Sequence, residues 1–322
     1  MKRILFFTHN IFTPENPKGY RIHQYFPYLI EAGFEIDLIT TGVNFSKVLK
    51  SAGKADVVYV QRLLLNPLKL YMLRRRAKRI IYDFDDAVMY GTRKVSRTRR
   101  FRFRSTIKCA DAVCCGNRFL LEEAGRYRSE GVYYVPTVVD IDEYPVKVHD
   151  KHKPFTVGWI GSSSTLKYLS DMKELFLYFR DKKDINFKLV ADKPSGLEGE
   201  GMLFEQWEKE REKSSLLSFD MGIMPARDDI WSQGKCGLKL IQYMAAGLPS
   251  VTHPVGVAKD LIEDGVNGFL RKSPGEWIDA IEGLSSDPSL RSRIGKAARE
   301  FIEAKYSLKL WGPEVVKIID SL

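Results

Sequence analysis

Two lysines and a glycine in the second half of the chain have the residue types and spacing that bind phosphate. Lys235, Gly237 and Lys239 follow a predicted strand that ends at Pro225. The segment Gly237–Ala246 then has the apolar spacing of a short buried helix. Free amides and the positive end of a helix stabilise an anion, and the lysines add full charge. The stretch is therefore predicted to hold phosphate groups.

A second glycine loop follows the predicted strand Phe155–Ile160. Gly161 precedes three serines and Thr165, which open a predicted helix, and Lys167 comes soon after. Hydroxyls and free amides at a helix start also suit phosphate. The alternative is that these hydroxyls only cap the helix.

Acidic residues end a predicted strand in the first half of the chain. The run Arg79–Phe84 is typical of a buried strand, and Asp83, Asp85 and Asp86 lie at its carboxyl end. Open α/β sheets place their ligands at this end of the strands. A carboxylate there could act as a base on an acceptor hydroxyl or position it. The alternative is an acidic cluster that caps the next segment.

The elements needed to position these loops form two successive patterns of alternating strands and helices. A chain of 322 residues is long enough for two domains. Residues 141–154 are charged, contain prolines and lack a clear period, so they are predicted to be the linker. The fold class predicted is α/β, with two doubly wound domains. After the strand Ile185–Ala191, the segment Phe204–Glu212 is predicted to be a charged surface helix.

The order of these features resembles the donor-binding segment of retaining glycosyltransferases of family 4, which have the GT-B fold. That family usually has two glutamates separated by seven residues, followed by Ala-Met-Ala-x-Gly-x-Pro. Here the second half reads Gln-Tyr-Met-Ala-Ala-Gly-Leu-Pro from Gln242, and Gly234 and Gln242 replace the two glutamates. The motif is similar to that of a sub-group written G-K-C-x-x-K-x-x-Q-Y-M-A-x-G-x-P.

This resemblance implies a function and a set of site residues. A sugar would move from a nucleotide-diphosphate sugar to an acceptor hydroxyl with retention and without an essential metal or cofactor, in cell-surface glycan or glycolipid synthesis. Asp85 takes the place of the family's reactive-centre histidine, and Asp85 and Asp86 are the predicted catalytic residues. Gln242 is predicted to bind the ribose. The predicted donor-binding residues are Gly19, Arg21, Gly161, Ser162, Ser163, Lys167, Asp229, Lys235, Gly237, Lys239, Gln242 and Gly256.

Two of these residues lie in the first βαβ pattern. Gly19 and Arg21 stand between the predicted strand Ile4–Phe7 and a helix over Ile22–Ala32. In the resembling family, a glycine loop at this point meets the donor diphosphate. The alternative is that the glycine serves only the backbone geometry of the loop.

The resemblance also predicts the domain boundaries. Residues 1–145 are predicted to form an acceptor-side domain, and residues 146–305 a nucleotide-sugar-binding domain. Residues 306–322 are predicted to form a tail helix that packs on the first domain.

Positive charge is concentrated in the first half of the chain. The net charge is +10, and residues 1–150 hold 26 Lys and Arg against 16 Asp and Glu, while the rest holds 25 of each. Residues 69–108 are the most basic, and Phe101 and Phe103 stand between arginines in the run from Arg93 to Arg104. This pattern fits an anionic membrane surface or another polyanion, such as a phosphorylated acceptor, and no nucleic acid is expected. The alternative is a solvated helix face.

The four cysteines have no paired zinc spacing and are expected to be reduced thiols. The apolar run after Met1 is too short for a signal peptide, and no stretch is long enough to span a membrane. We therefore expect a cytoplasmic protein, with a peripheral position on the inner face of the membrane as an option.

Two other functions compete with this one. A metal-dependent GT-A glycosyltransferase could use Asp83 and Asp85 as an Asp-x-Asp metal site. A non-catalytic module that binds a nucleotide-sugar would explain the loss of both family glutamates.

Overall fold

The computed structural model describes residues 2–9, 20–91, 96–196 and 202–322. The chain divides into two compact units. The first unit comprises Met1–Val138, Asp229–Cys236 and Leu308–Leu322, and the second comprises Val139–Asp228 and Gly237–Ser307.

Strands and helices alternate through both units. The strands are β1 (Arg3–Thr8), β2 (Glu35–Thr40), β3 (Val57–Gln61), β4 (Arg79–Phe84), β5 (Ala112–Cys115), β6 (Val132–Tyr134), β7 (Phe155–Gly161), β8 (Ile185–Ala191), β9 (Met202–Gln206), β10 (Met221–Met224), β11 (Ser250–Thr252) and β12 (Phe269–Leu270). The helices are α1 (Phe26–Glu31), α2 (Phe45–Ala52), α3 (Pro67–Arg76), α4 (Arg97–Cys109), α5 (Arg118–Gly125), α6 (Lys167–Ser170), α7 (Lys173–Phe179), α8 (Glu212–Leu217), α9 (Ile230–Gln233), α10 (Leu238–Ala245), α11 (Ala258–Leu261), α12 (Pro274–Ser286), α13 (Pro288–Lys305) and α14 (Leu308–Asp320).

Each unit contains a six-stranded parallel sheet. The order is β2-β1-β3-β4-β5-β6 in the first unit and β12-β11-β10-β7-β8-β9 in the second. The central strands β3 and β4 are almost wholly buried, as continuous apolar runs in a sheet covered on both faces should be. The predicted α/β class with two doubly wound domains is confirmed.

The first sheet has a core on each face. On one face, side chains of α2, α3, α4 and α5 join a single cluster that includes Leu73, Phe103 and Leu120. On the other face, Leu29 of α1 packs in a cluster with Ile319 of α14. The final helix is therefore part of the core of the first unit.

The second sheet packs against α6, α7 and α12 on one face, around the buried Trp159 and Trp277. Helix α12 begins at a capping box in which Ser273 and Glu276 satisfy each other's backbone amides. Its apolar positions then recur at helical spacing and enter the core.

The division of the chain differs from the predicted boundaries in two respects. The first unit ends at Val138 rather than at residue 145, and it also takes in Asp229–Cys236. That segment was predicted to belong to the second domain. It joins the first unit because Trp231 and Cys236 pack with the core of that unit.

The predicted helix over Phe204–Glu212 is wrong. Residues Met202–Gln206 form the edge strand β9, beside β8, and the helix α8 begins only at Glu212. An edge strand tolerates charge on its open side, and Glu205 pairs with Lys188 of β8 at 2.6 Å. Glu205, one of the charged residues that suggested a helix, is therefore a cross-strand partner.

None of the helices within the described residues combines the length and the apolar character that crossing a membrane requires.

Candidate functional site

The carboxyl edge of the first sheet carries a chain of charged side chains. Because parallel strands end at the same edge, the residues after β3 and β4 lie side by side there. These residues are Arg62, after β3, and Asp85 and Asp86, after β4.

Asp83 lies within β4 and forms a buried ion pair with Arg21. The Nε and Nη2 atoms of Arg21 donate to both carboxylate oxygens at 2.5–3.1 Å, and its Nη1 donates to the carbonyl of Val135 at 2.5 Å. Both side chains are buried. Burial alone would lower the pKa of Arg21, but attraction to Asp83 outweighs it and raises that pKa well above its usual value.

This ion pair corrects two predictions. The guanidinium of Arg21 is used inside the unit, so the prediction that it binds the donor diphosphate does not fit the structure. Asp83 is equally occupied, so an Asp83–Asp85 metal site does not fit either. Gly19, the other candidate in this loop, lies outside the described residues.

Arg62 holds both predicted catalytic carboxylates. Its guanidinium donates to Asp86, and its Nε lies 3.3 Å from Oδ1 of Asp85. Attraction to Asp85, with burial opposing it and Asp86 adding to it, raises the pKa of Arg62. Lys235 completes the group, with Nζ 3.0 Å from Oδ1 of Asp86.

Arg62 was missed in the sequence, although its position directly after a buried strand is a signal for a ligand-edge residue. Its backbone has a φ of 60°, in the left-handed region that non-glycine residues rarely adopt. Its amide donates to the carbonyl of Asp83 at 2.7 Å, which holds this conformation in place. Such strain clusters at functional sites.

One oxygen at this edge stands out. Oδ1 of Asp85 is buried and accepts no hydrogen bond from the described residues. A buried carboxylate oxygen normally accepts hydrogen bonds, so this atom is suited to a hydroxyl donor from outside the unit.

The segment Asp229–Cys236 is fixed to this edge by hydrogen bonds. The side-chain amide of Asn117 donates to the carbonyls of Gln233 and Lys235 at 3.1 and 2.9 Å. The thiol of Cys236 donates to the carbonyl of Asp85 at 3.1 Å. Asp229, predicted to bind the donor, instead caps α9, with Oδ1 accepting from the amide of Ser232 at 2.7 Å.

Gly234, which stands in place of the first family glutamate, has no room for a side chain. A Cβ atom there would lie 2.4 Å from Cβ of Ala87 and 2.9 Å from its backbone nitrogen. The close approach of two backbones therefore requires glycine at this position.

In the second unit, Lys239 crosses the glycine loop at the end of β7. Its Nζ lies 2.9 Å from Oγ1 of Thr165 and 4.0 Å from the ring centroid of Trp159. A Cβ atom on Gly161 would lie 2.2 Å from Cε of Lys239. Gly161 thus makes room for the lysine, and the structure brings these two predicted residues together.

Polar groups of the serine loop after β7 already form hydrogen bonds within the second unit. The amide and hydroxyl of Ser163 donate to Asp192 at 2.5 and 2.8 Å. The hydroxyl of Ser162 lies 2.7 Å from that of Ser164. The carboxylate of Asp192 therefore already accepts a hydrogen bond from the Ser163 amide, which was predicted to bind phosphate. The predicted donor-binding role of Ser163 does not fit this arrangement. Lys167 is exposed, with Nζ 5.0 Å from the ring centroid of Tyr168.

Gln242 faces the interior of the second unit. It is buried, and its Nε2 donates to Oε1 of Glu212 at 2.9 Å and to the hydroxyl of Tyr144 at 3.3 Å. Oε2 of Glu212 also accepts from the indole of Trp207 at 3.1 Å. The predicted contact of Gln242 with the donor ribose does not fit, because its amide nitrogen is used in this buried network.

The remaining predicted glycines serve the backbone. Gly237 has a φ of 69° directly before α10, and a Cβ there would lie 2.7 Å from Val257. Gly256 has a φ of 55° in the loop before α11. Both conformations favour glycine and allow the loops to turn into helix starts.

Among the residues that the structure describes, no group of three or more His, Cys, Asp or Glu side chains is arranged to hold a metal ion.

Comparison with known proteins finds a family match in the second half of the chain. Residues 195–301, which include Lys239 and Gln242, match the family described as "Glycosyl transferases group 1". The alpha-D-kanosaminyltransferase of Streptomyces kanamyceticus is 32% identical over 108 residues. That match covers 32% of this chain and 26% of the relative, so it spans about a quarter of that protein's length.

Solved structures resemble the whole chain. HepE of Anabaena in complex with UDP has a TM-score of 0.73 at 16% identity, with 100% of both chains covered. Sucrose-phosphate synthase from Thermosynechococcus elongatus has a TM-score of 0.75 at 13% identity, with 100% of this chain and 99% of that chain covered. At these identities the likeness concerns the fold, and it shows that the GT-A alternative is wrong. The chain therefore has the two-domain GT-B fold, and part of its second half is similar to the glycosyltransferase group 1 family.

Proposed function

We propose that this protein is a retaining glycosyltransferase of family 4 that transfers a hexosyl group from a nucleoside-diphosphate sugar to an acceptor hydroxyl. The observation that supports this most directly is Lys239, held across Gly161 beside Trp159 at the carboxyl edge of the second sheet. It lies within the segment that matches the group 1 family. The kinship with a kanosaminyltransferase and the UDP complexes of HepE support the same reaction class.

In this proposal Lys239 binds the donor diphosphate. As the bond from the sugar to the diphosphate breaks, negative charge grows on the leaving phosphate oxygen. A fixed ammonium group stabilises that charge without having to reorganise. Thr165 and Trp159 hold the ammonium group where it is. Lysine and backbone amides take the part that a metal takes in other transferases, so no metal or cofactor is required.

Asp85 serves the acceptor. Its Oδ1 is buried and accepts no hydrogen bond from the described residues, so it can accept one from the acceptor hydroxyl. The acceptor oxygen forms the new bond to the sugar and its proton passes to the carboxylate. Arg62 is a positioning residue that fixes Asp85 and Asp86.

The basic first half supports a lipid-linked acceptor or a surface glycan. Such an acceptor would place the protein in the cytoplasm, at the inner face of the membrane.

The first test concerns Lys239 and donor binding. Lys239→Ala should weaken the binding of UDP or GDP by roughly 1.5–3 kcal/mol, as expected for a charge-assisted hydrogen bond. Calorimetry measures the affinity, and Lys296→Ala, at an exposed lysine of α13 outside the predicted site, is the matched control. Unchanged affinity in a folded Lys239→Ala protein would remove this residue from the donor site.

The second test concerns Asp85 and transfer. Asp85→Asn keeps the size of the side chain but removes the base, so we expect a loss of transfer of about 100-fold or more with nearly unchanged donor affinity. Transfer is measured as release of nucleoside diphosphate in the presence of candidate acceptors. Equal losses in transfer and donor affinity would point to a structural cap instead.

A non-catalytic nucleotide-sugar-binding module is the second candidate. It is favoured by the loss of both family glutamates, since Gly234 has no room for a side chain and Gln242 is buried. A panel of nucleotide sugars separates the two functions. Tight binding with neither hydrolysis nor transfer of any donor would support the module.

A further inference from the structure

Two neighbouring helices of the first unit present their outer faces together. Strands β3, β4 and β5 are adjacent in the sheet, and α3 and α4 connect them in the same direction. Parallel connections of one hand place both helices on the same face of the sheet. Leu73 of α3 and Phe103 of α4 confirm this, because they enter the same core cluster. The opposite sides of both helices therefore face outward side by side.

Large apolar side chains stand on these outer sides. Leu68, Tyr71 and Met72 of α3 are 67%, 63% and 38% exposed, and Phe101 of α4 is 57% exposed. Phe103, two residues further along, is fully buried instead. Isolated exposed apolar residues are ordinary, but several on adjacent helices suggest a surface that is covered in use.

Cations surround these apolar side chains. Seven exposed ones are Lys69, Arg75, Arg76, Arg97, Arg100, Arg104 and Lys108, while Arg99, which is also exposed, donates to the carbonyl of Val88 at 3.2 Å. None of them forms an ion pair with a carboxylate of the described residues, whereas Arg74, on the inner side of α3, pairs with Asp111 at 2.5 Å. Neither helix contains an acidic residue. We name the four apolar residues and these seven cations the α3–α4 face. Arg93 and Lys94 lie outside the described residues.

The α3–α4 face begins beside the acceptor-side carboxylates. In a parallel α/β sheet, each connecting helix starts at the carboxyl edge of the strands and runs back along them. Leu68, Tyr71, Arg97 and Phe101 are all in the first turns of their helices. They are therefore near the same edge of the sheet as Asp85.

We propose that the α3–α4 face binds the surface of an anionic lipid bilayer. Unpaired cations are attracted to acidic headgroups, and exposed Leu, Met and aromatic side chains insert at the boundary between headgroups and acyl chains. A nucleic acid or an acidic protein would use the cations but gain little from Leu68 and Met72. The proposal rests on the proposed function only in giving a lipid-linked acceptor access to Asp85.

Vesicle co-sedimentation of the full chain tests this directly. Wild-type protein should bind vesicles made of phosphatidylglycerol and phosphatidylcholine, and this binding should weaken as the salt concentration rises. It should not bind vesicles of pure phosphatidylcholine. The triple variant Arg97→Glu/Arg100→Glu/Arg104→Glu should bind at least about 100-fold more weakly, because each cation contributes roughly a fivefold factor. The matched control is Lys272→Glu/Arg293→Glu/Lys296→Glu, which makes the same charge change at exposed sites of the second unit and should bind nearly as wild type.

A second variant separates a bilayer from other polyanions. Leu68→Ser/Phe101→Ser retains every charge and removes only exposed side chains, so folding should be unaffected. It should bind anionic vesicles about 10-fold or more weakly but bind heparin as wild type does. Equal vesicle binding by this variant would overturn the proposal in favour of a soluble polyanion. Wild-type-like vesicle binding by the Glu triple variant would overturn it as well. Vesicle binding needs no donor or transfer, so its failure leaves the proposed function to be judged separately.

Discussion

At the residue scale, a strained arginine organises the carboxylates at the edge of the first sheet. Arg62 occupies a left-handed conformation, and its guanidinium reaches Asp85 and Asp86. A non-glycine residue in this conformation costs on the order of 1 kcal/mol, and the ion pairs with two carboxylates help to offset it. The effect of its backbone conformation on stability and the effect of its side chain on transfer can therefore be measured separately.

A comparison of Arg62→Gly with Arg62→Ala makes that measurement. Both variants lose the guanidinium, so both should lose transfer to a similar extent while keeping donor affinity. Gly adopts a φ of 60° without strain, so Arg62→Gly should be more stable than Arg62→Ala by about 0.5–1 kcal/mol. Denaturant unfolding gives the two free energies. Greater stability of the alanine variant would show that the backbone relaxes once the side chain is gone.

At the element scale, the start of α10 replaces the family's glutamates with an arrangement of its own. Gln242 of α10 donates to Glu212 of α8, and Tyr144 and Trp207 complete the buried network. Gln242 stands where the resembling family has a glutamate, and here the carboxylate in contact with this position belongs to Glu212. An amide and a carboxylate form a hydrogen bond in either order, so the pair should be exchangeable.

Exchange of the two residues tests this network. Gln242→Glu alone places two carboxylates about 3 Å apart inside the unit and should lower the free energy of unfolding by on the order of 3 kcal/mol at pH 7. Gln242→Glu/Glu212→Gln should recover most of that loss, because Trp207 can still donate to residue 212 and the Tyr144 hydroxyl, which accepts from Gln242 in the wild type, can donate to Glu at 242. If the double variant were no more stable than Gln242→Glu, the surrounding packing would require a particular residue at each position, and the two residues would not be exchangeable.

At the scale of the whole molecule, the chain returns to its first unit twice. Residues Asp229–Cys236 and Leu308–Leu322 both belong to that unit, although more than 90 residues separate each from Val138. Ile319 of α14 is fully buried in a core cluster with Ile4 and Leu29. The stability of the first unit therefore depends on the last turns of the chain.

Ile319→Ala measures this dependence. Removal of a buried isoleucine side chain should destabilise the first unit by about 2–5 kcal/mol. Hydrogen exchange by mass spectrometry should show faster exchange in β1 and β3, with β7 and β8 unchanged. Val316→Ala, at a less buried position on the same helix, is the matched control. Faster exchange across β7 and β8 as well would show that α14 also supports the second unit.

The sequence determined the regular elements and the loops at their ends. Buried parallel strands such as β3 and β5 are nearly continuous apolar runs, so their positions follow from composition alone. Glycines such as Gly237 and Gly161 mark close turns before helices, which are also local features. The α/β class and the position of Lys239, the lysine proposed to bind the donor, therefore followed from short-range patterns of a few residues.

The tertiary structure decided which polar groups are already satisfied. Arg21 pairs with Asp83, 62 residues away, and Gln242 bonds to Glu212, 30 residues away, so neither has its predicted role. Contacts between residues far apart in the sequence also bring Asp229–Cys236 into the first unit and place Arg62 beside Asp85. Buried polar groups must find partners, and a partner's identity depends on how distant strands and helices are packed. Local spacing records that a polar group is present, and only the folded chain shows what it bonds to.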